Sequence, residues 1–162
     1  MAGRVSRRRG VCGSVTAGLL AGAAGTTALT MVTYLDQATR GRPASDMPER
    51  TAERLAEAAG VPLGEQDAAR GRAQGLGGLL GILTGLGVGA AYGALRTVAP
   101  RPSPMVAAAG LGVAVVVASS APMTALGLTD PRTWGVRGWL SDLAPHFAYG
   151  LVTAYAFEAV GG

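Results

Sequence analysis

Four long apolar segments dominate the sequence and limit what the chain can fold into. They run over residues 13–35, 75–95, 104–128 and 143–160. Each segment is close to the roughly 20 residues that an α-helix needs to cross the hydrocarbon core of a bilayer. No charged residue lies near the centre of any segment, and Glu158 lies at the end of the last one. The pattern predicts an all-α membrane protein, a four-transmembrane-helix bundle that forms a single domain with two short interfacial helices.

The composition agrees with a membrane-embedded chain. Charged residues make up 15% of the 162 residues and hydrophobic residues 49%, whereas about 25% charged residues is usual in soluble domains. The formal charge of +4 does not indicate nucleic-acid binding, because much of it lies in a basic N-terminal tail, residues 1–12, directly before the first apolar segment. The tail contains Arg4, Arg7, Arg8 and Arg9. Such a cluster is typical of a topology signal, and we expect no nucleic-acid partner.

The tail allows a second interpretation. Its sequence SRRRGV partly resembles a twin-arginine export signal. The apolar segment that follows is longer than the core of a signal peptide, and no convincing cleavage site follows it. The sequence therefore favours a first helix that stays in the mature protein over a cleaved signal.

The polar loop over residues 36–74 is predicted to contain a short helix at residues 47–59. Asp46 is placed to cap the start of this helix, with Glu49 as the reciprocal partner. Gly60, followed two residues later by a proline, marks the end of the helix. The apolar face of the helix is thin, so we expect it to rest on the membrane surface or on neighbouring spans.

Two arginines, Arg40 and Arg42, connect the first apolar segment to this loop. They would either bind lipid phosphate or anchor the segment at the membrane surface, and anchoring is the simpler interpretation. Arginines are divided almost evenly between the two sides of a four-span arrangement, so they do not select an orientation. An even number of spans places both chain ends on the same side of the membrane.

The loop before the last apolar segment is predicted to hold a second interfacial helix. Asp130 precedes Pro131, which is the arrangement of an N-cap with proline at the first helical position. Trp134 and Trp139 follow, and tryptophan prefers the headgroup layer of a membrane. We therefore expect a short helix that lies flat at the interface.

Glycines recur every four residues in the second apolar segment. They are Gly77, Gly81, Gly85, Gly89 and Gly93. Glycine on one helix face lets another backbone approach closely. The first segment offers a matching stripe, Ser14, Gly18, Gly22, Thr26 and Thr30, and the third offers Gly110, Ala114 and Ala118. The pattern predicts a bundle that packs through small residues, and packing within one chain is favoured over a homo-oligomer or a pore.

Polar residues inside the apolar segments are the candidates for function. In the first segment, Thr26, Thr30 and Thr33 recur on one helix face and are followed by Gln37. Threonines in such positions bond to the backbone of their own helix, line a hydrated path or bond to another helix. The first interpretation is the simpler one.

A second candidate lies at the start of the last segment. Asp142 is placed to cap a helix with Pro145 in its first turn. His146, the only histidine, lies one turn on, and Tyr149 and Tyr155 would continue a hydrogen-bonded face. Three interpretations stay open: a structural cap beside a satisfied interfacial histidine, a functional polar cluster for proton coupling or headgroup binding, or, least favoured, catalysis.

A metal or cofactor site is not predicted. Asp130 is included in the candidate polar cluster because it could converge with Asp142 and His146, but a metal ion would need at least three ligands. The chain has one histidine, and its one cysteine, Cys12, is distant in the sequence. No nucleophile motif supports a hydrolase, so an enzyme is the least favoured class.

Two stretches resemble those of a known group of proteins. They are TYLDQATRGRPASDMPE, residues 33–49, and TDPRTWGVRGWLSDLAPHFAYG, residues 129–150. Together with the glycine-rich second segment, they resemble small actinobacterial integral-membrane proteins, and the overall layout is similar to that of YagU-type inner-membrane proteins. The resemblance implies a multi-pass protein of a bacterial inner membrane and implies no mechanism.

The sequence favours a non-enzymatic integral membrane protein. We expect its environment to be the lipid bilayer, and its partner to be another membrane protein, a lipid or a second copy of the chain. The alternative is a small proton or ion transporter or channel. Its polar path would run from Thr26, Thr30 and Thr33 to Asp142 and His146.

Overall fold

The computed structural model describes residues 10–161, which form five α-helices and one short 3-10 helix without any β-strand. The helices are α1 (Val11–Arg40), α2 (Met47–Ala58), α3 (Gln66–Leu95), α4 (Pro104–Ala125) and α5 (Val136–Gly161), and the 3-10 helix is Pro131–Thr133. The predicted all-α fold is confirmed. The arginine cluster of the N-terminal tail lies outside the described residues.

Within residues 10–161, three helices, α1, α3 and α4, are long and apolar enough to cross a membrane. α5 has 26 residues but is not among these three. Asp142, His146 and Glu158 lie along it and lower its apolar character. The predicted fourth span is therefore not established by length and hydropathy.

α1 and α3 pack antiparallel through small residues. Gly18 lies against Gly89 and Gly93, and Gly22 lies against Gly85 and Gly89. A Cβ atom on Gly22 would lie 2.7 Å from the carbonyl oxygen of Gly85, a distance that real Cβ atoms do not adopt. The two backbones are therefore in direct contact, as expected for stripes of small residues on membrane helices.

α5 packs antiparallel to both α1 and α4. Near the middle of α1, Gly25 lies against Tyr149, and at its end Arg40 bonds to Ser141. On the other side, Gly150 lies against the backbone of Ala108 in α4. α4 also contacts α3 over a shorter length, which closes the four long helices into an up-down-up-down bundle.

The bundle has two distinct ends. The end that we call the α2 end holds the last turns of α1 and α4, the first turns of α3 and α5, and α2 itself. The opposite end holds the connection over residues 96–103 and the two ends of the described chain. Both ends of the described chain lie on one side, as an even number of long helices requires.

The predicted glycine stripe of α3 divides between different neighbours. Gly85, Gly89 and Gly93 are buried against α1, whereas Gly77 is buried against the backbone of Pro48 in α2. A Cβ atom on Gly81 would meet open space. Because residues four apart rotate by about 40° along a helix face, one stripe cannot face a single partner over its whole length.

Two of the three residues of the stripe predicted for α4 are not used in packing, whereas the third, Ala118, is half-buried. Gly110 and Ala114 are exposed, and a Cβ atom on Gly110 would meet nothing. The buried small residues of this helix are Ala107, Ala108 and Gly112. The correct face is rotated from the predicted one, because the contact with α5 rather than the spacing alone decides which side of α4 is buried.

The outer surface of the bundle is apolar. Leu83, Val113 and Leu20 are exposed by 62%, 63% and 56%. Extended apolar surfaces of this kind mark membrane or protein contacts. In the interior, small residues such as Ala21 and Ala108 are fully buried.

The predicted loop over residues 36–74 is shorter in the structure, because α1 continues to Arg40 and α3 already begins at Gln66. Hydropathy marks where the apolar part of a helix ends, and a polar turn can continue the helix beyond it. The predicted short helix is present as α2. Gly60, with φ of +67°, ends it, donating its N–H to the carbonyl of Glu57, which is part of a Schellman arrangement.

The predicted reciprocal cap of α2 is wrong. The Asp46 side chain makes no capping bond, and Oε2 of Glu49 is buried without a hydrogen-bond partner. The hydroxyl of Ser45 instead accepts a bond of 3.3 Å from the N–H of Met47.

In place of the second predicted interfacial helix, the structure has a single 3-10 turn. The carboxylate of Asp130 accepts a bond of 2.9 Å from the N–H of Arg132, so Asp130 does cap this turn. Trp139, however, belongs to α5, and its ring centre lies 5.1 Å from that of Trp134. The aromatic pair therefore joins the turn to the start of a long helix.

Candidate functional site

One face of α5 carries a polar column into the bundle. Asp142, His146, Tyr149 and Thr153 are spaced so that they share this face. Tyr149 and Thr153 are fully buried, whereas Asp142 and His146 are partly exposed near the α2 end. The expected continuation through Tyr155 is wrong, because that side chain is 53% exposed on the outside.

Asp142 is not a helix cap. α5 begins at Val136, so both Asp142 and Pro145 lie inside the helix. The first turns of α5 are polar and aromatic, which hid the true start from an argument based on hydropathy. The capping interpretation of Asp142 is therefore wrong. Its contacts with neighbouring polar groups are the remaining explanation for an aspartate at this position.

His146 is held mainly by its own helix. Its Nδ1 lies 2.5 Å from the backbone carbonyl oxygen of Asp142 and 3.6 Å from Oδ1 of the same residue. The other carboxylate oxygen, Oδ2, is buried without a hydrogen-bond partner. Burial raises the pKa of the Asp142 carboxyl, which lies just before the apolar segment, and the neighbouring His146 opposes that shift.

Tyr149 connects three helices at the centre of the bundle. Its hydroxyl donates a bond of 2.6 Å to the carbonyl oxygen of Gly85 in α3. A Cβ atom on Gly25 in α1 would lie 2.9 Å from Cδ2 of the tyrosine ring. The ring therefore occupies space beside α1 that exists because residue 25 is a glycine.

The threonine stripe of α1 is partly used by the backbone of its own helix. Thr26 donates to the carbonyl of Gly22 at 2.8 Å, and Thr33 donates to the carbonyl of Leu29 at 2.9 Å. Thr30 is half-buried on the same helix. The bonds made by Thr26 and Thr33 support the simpler interpretation, since a hydroxyl that bonds its own helix contributes little to a polar path.

The structure does not bring Asp130 to the polar column. Asp130 lines a separate surface groove with Thr124 and Leu128, near the turn that it caps. Among the described residues, no group of three or more His, Cys, Asp or Glu side chains could hold a metal ion.

A cleft that the sequence did not predict lies between the end of α1 and the start of α5. It has a volume of about 450 Å³. The lining residues are Val32, Thr33, Leu35, Asp36, Thr39, Arg40, Leu140, Ser141, Ala144 and Pro145. Nη1 of Arg40 lies 2.9 Å from the hydroxyl of Ser141, which joins the two walls.

The charges beside this cleft form a small network. Asp36 pairs with Arg40 at 3.2 Å through Oδ1 and with Arg42 at 2.5 Å through Oδ2. The spacing of Asp36 and Arg40 by four residues is a signal that the sequence carries. The apolar segment ends at residue 35, so hydropathy alone does not place Asp36 and Arg40 on one helix, whereas α1 continues to Arg40.

No protein-family model, curated protein or solved structure matches this chain. The resemblance to small actinobacterial membrane proteins therefore stays a prediction.

Proposed function

We propose that the chain is a four-span integral protein of the bacterial inner membrane with a non-catalytic role, as a structural or accessory subunit or as a binder of lipid. The observation that carries this proposal is the bond from the buried Tyr149 hydroxyl to the carbonyl of Gly85. This bond uses the polar hydroxyl at the centre of the bundle to join α5 to α3. Together with the glycine contact between α1 and α3, it favours a rigid scaffold over a moving pathway.

The two faces of α5 support its assignment as the fourth span. Its polar column faces α1, α3 and α4, whereas Phe147, Tyr155 and Val160 are exposed by 46%, 53% and 39%. Polar residues in membrane helices usually face the interior of the bundle. A helix of this kind has only moderate mean hydropathy even when its outer surface suits a bilayer.

Native mass spectrometry of the gently solubilised protein from its own membrane tests the accessory role. A second protein present in a fixed ratio to the chain is the expected result. A bare monomer or a pure homo-oligomer would count against the accessory role. Retained lipid without protein would favour the lipid-binding role.

One observation favours a second candidate, a small proton or ion transporter. Oδ2 of Asp142 and Oγ1 of Thr153 are buried without hydrogen-bond partners, and both belong to the polar column. Buried polar atoms without partners are costly and are often found where a protein has a functional need for them. A path past these atoms would lead from the α2 end towards the centre of the bundle.

Flux measurements in vesicles distinguish this candidate. A transporter requires that Asp142→Asn and His146→Ala each abolish proton or ion flux while the protein still folds. Tyr155→Phe serves as the control, because that side chain is outside the column. Flux that is absent in the parent, or unchanged in both variants, excludes transport through these residues.

A further inference from the structure

We propose that the cleft between α1 and α5 binds an anionic phospholipid, with Arg40 and Ser141 at the phosphate and the apolar wall against the upper acyl chain. The proposal rests on the proposed function, since it requires that the chain be embedded in a membrane. It adds a ligand class and a site to the general lipid-binding role.

The cleft lies where the apolar segments end. Its volume of about 450 Å³ is in the range of ligand sites, roughly 300–1,000 Å³. Val32 and Leu35 come from the last turns of the apolar part of α1, and Arg40 follows one turn later. A site with an apolar lower wall and a polar upper rim matches a lipid at the level of its headgroup.

One carboxylate and two guanidinium groups lie at or beside the rim, and of these Asp36 and Arg40 line the cleft. Asp36 supplies one negative charge to two guanidinium groups, those of Arg40 and Arg42. Arg42 holds Oδ2 of this carboxylate at 2.5 Å, so Arg40 is not needed to neutralise it. One positive charge therefore remains beside the cleft.

Arg40 is placed to use that charge on a ligand. Its side chain is 47% exposed, and both of its hydrogen bonds in the described structure use Nη1. A guanidinium has five N–H donors in a planar fork that matches a phosphate group. The hydroxyl of Ser141 lies beside the same Nη1 and adds a second donor from the opposite wall.

The apolar wall distinguishes a lipid from a soluble anion. Leu35 and Leu140 line the cleft and are exposed by 65% and 62%. A phosphate alone would leave these side chains uncovered, whereas the first carbons of an acyl chain would cover them.

The test is a comparison of phosphatidylglycerol with phosphatidylcholine of the same acyl chains, measured by native mass spectrometry on the purified full chain in neutral detergent. The parent should retain phosphatidylglycerol preferentially. Arg40→Gln should reduce the ratio of retained phosphatidylglycerol to phosphatidylcholine about fivefold. Asp36→Asn adds one net positive charge and should increase this ratio about fivefold. A gain of binding cannot arise from misfolding, so Asp36→Asn keeps the test decisive.

Arg54→Gln is the matched control. Arg54 is also an exposed arginine paired with a carboxylate, Glu57, but it lies on α2 and does not line the cleft. The preference for phosphatidylglycerol should be unchanged in this variant. An equal loss in Arg54→Gln and Arg40→Gln would show general surface charge and would overturn the site.

Two further results would overturn the proposal. One is equal retention of the two lipids by the parent. The other is that soluble glycerol phosphate displaces the bound phosphatidylglycerol at the same concentration as a short-chain phosphatidylglycerol does. The apolar wall would then contribute nothing to binding. Alkaline extraction of native membranes distinguishes failure of the proposed function from failure of the lipid site. Release of the chain contradicts the proposed function. A chain that stays in the membrane but shows no lipid preference contradicts only the lipid site.

Discussion

Tyr149 shows how a single side chain can decide the packing of several helices. It belongs to α5, donates a hydrogen bond to Gly85 in α3 and lies against Gly25 in α1. The side chain is fully buried, so a partner within the bundle offsets the loss of hydrogen bonds to water. The carbonyl of a helix has a second lone pair and supplies that partner without losing its own helical bond.

We expect Tyr149→Phe to lower the free energy of unfolding by about 0.5–1.5 kcal/mol, because the ring is kept and one buried hydrogen bond is lost. Tyr155→Phe is the control, because its side chain is exposed and should change the stability little. Thermal unfolding in detergent, followed by circular dichroism, measures both. Equal stability of Tyr149→Phe and the parent would show that this bond contributes nothing.

The position of Asp142 inside α5 determines how its removal should affect stability. A capping aspartate replaced by alanine costs about 1 kcal/mol, but Asp142 lies inside α5 and has a buried oxygen without a partner. We therefore expect Asp142→Ala to be as stable as the parent or more stable. A loss of about 1 kcal/mol in the same unfolding experiment would contradict this expectation and show that the carboxylate stabilises α5, for example through His146, whose Nδ1 lies 3.6 Å from Oδ1.

At the scale of the helices, the contact between α1 and α3 depends on the absence of side chains. A Cβ atom on Gly89 would lie 2.7 Å from Cα and 2.9 Å from N of Gly22. These are backbone atoms and cannot rotate away, so the helices would have to separate. Gly81, only two turns away on the same predicted stripe, has open space around it.

This difference predicts opposite effects for the same substitution. Gly89→Ala should destabilise the bundle by about 1–3 kcal/mol through overpacking. Gly81→Ala should be neutral or stabilise it by up to about 1 kcal/mol, because alanine favours a helix over glycine. The unfolding free energies of the two variants in detergent test the α1–α3 contact, and a similar effect of both would contradict it.

On the scale of the whole molecule, the up-down-up-down arrangement places the α2 end and the opposite end on different sides of any membrane that the bundle crosses. The two α2-end loops around Ala44 and Thr129 are then on one side, and the connection around Ser103 is on the other. Whether α5 also crosses decides the side of Ala159, near its last turn.

Cysteine labelling tests this arrangement. In a Cys12→Ser background, which has no other cysteine, single cysteines at Ala44, Ser103 and Ala159 are treated with a membrane-impermeant maleimide. Four spans require that Ser103→Cys and Ala159→Cys react from the same side and Ala44→Cys from the opposite side. If Ala159→Cys reacts together with Ala44→Cys, α5 does not cross and the chain has three spans.

The sequence alone was sufficient for the helical class, the positions of the apolar segments, the presence of α2 and its end at Gly60. These features depend on local properties: the length of an apolar run, and a backbone conformation with positive φ that glycine adopts without strain. The four-residue spacing of the small residues in α1 and α3 also predicted that these two helices pack closely. Such features require no knowledge of which helix lies next to which.

Only the tertiary structure decided how each helix is rotated and where it ends. It turned Gly81 outwards, selected Gly112 rather than Gly110 in α4, and placed Thr153 rather than Tyr155 inside. The helical repeat fixes which residues share a face, but the neighbouring helices determine which face is covered. For the same reason the cleft was not predicted, because it exists only where the polar last turn of α1 meets the first turns of α5.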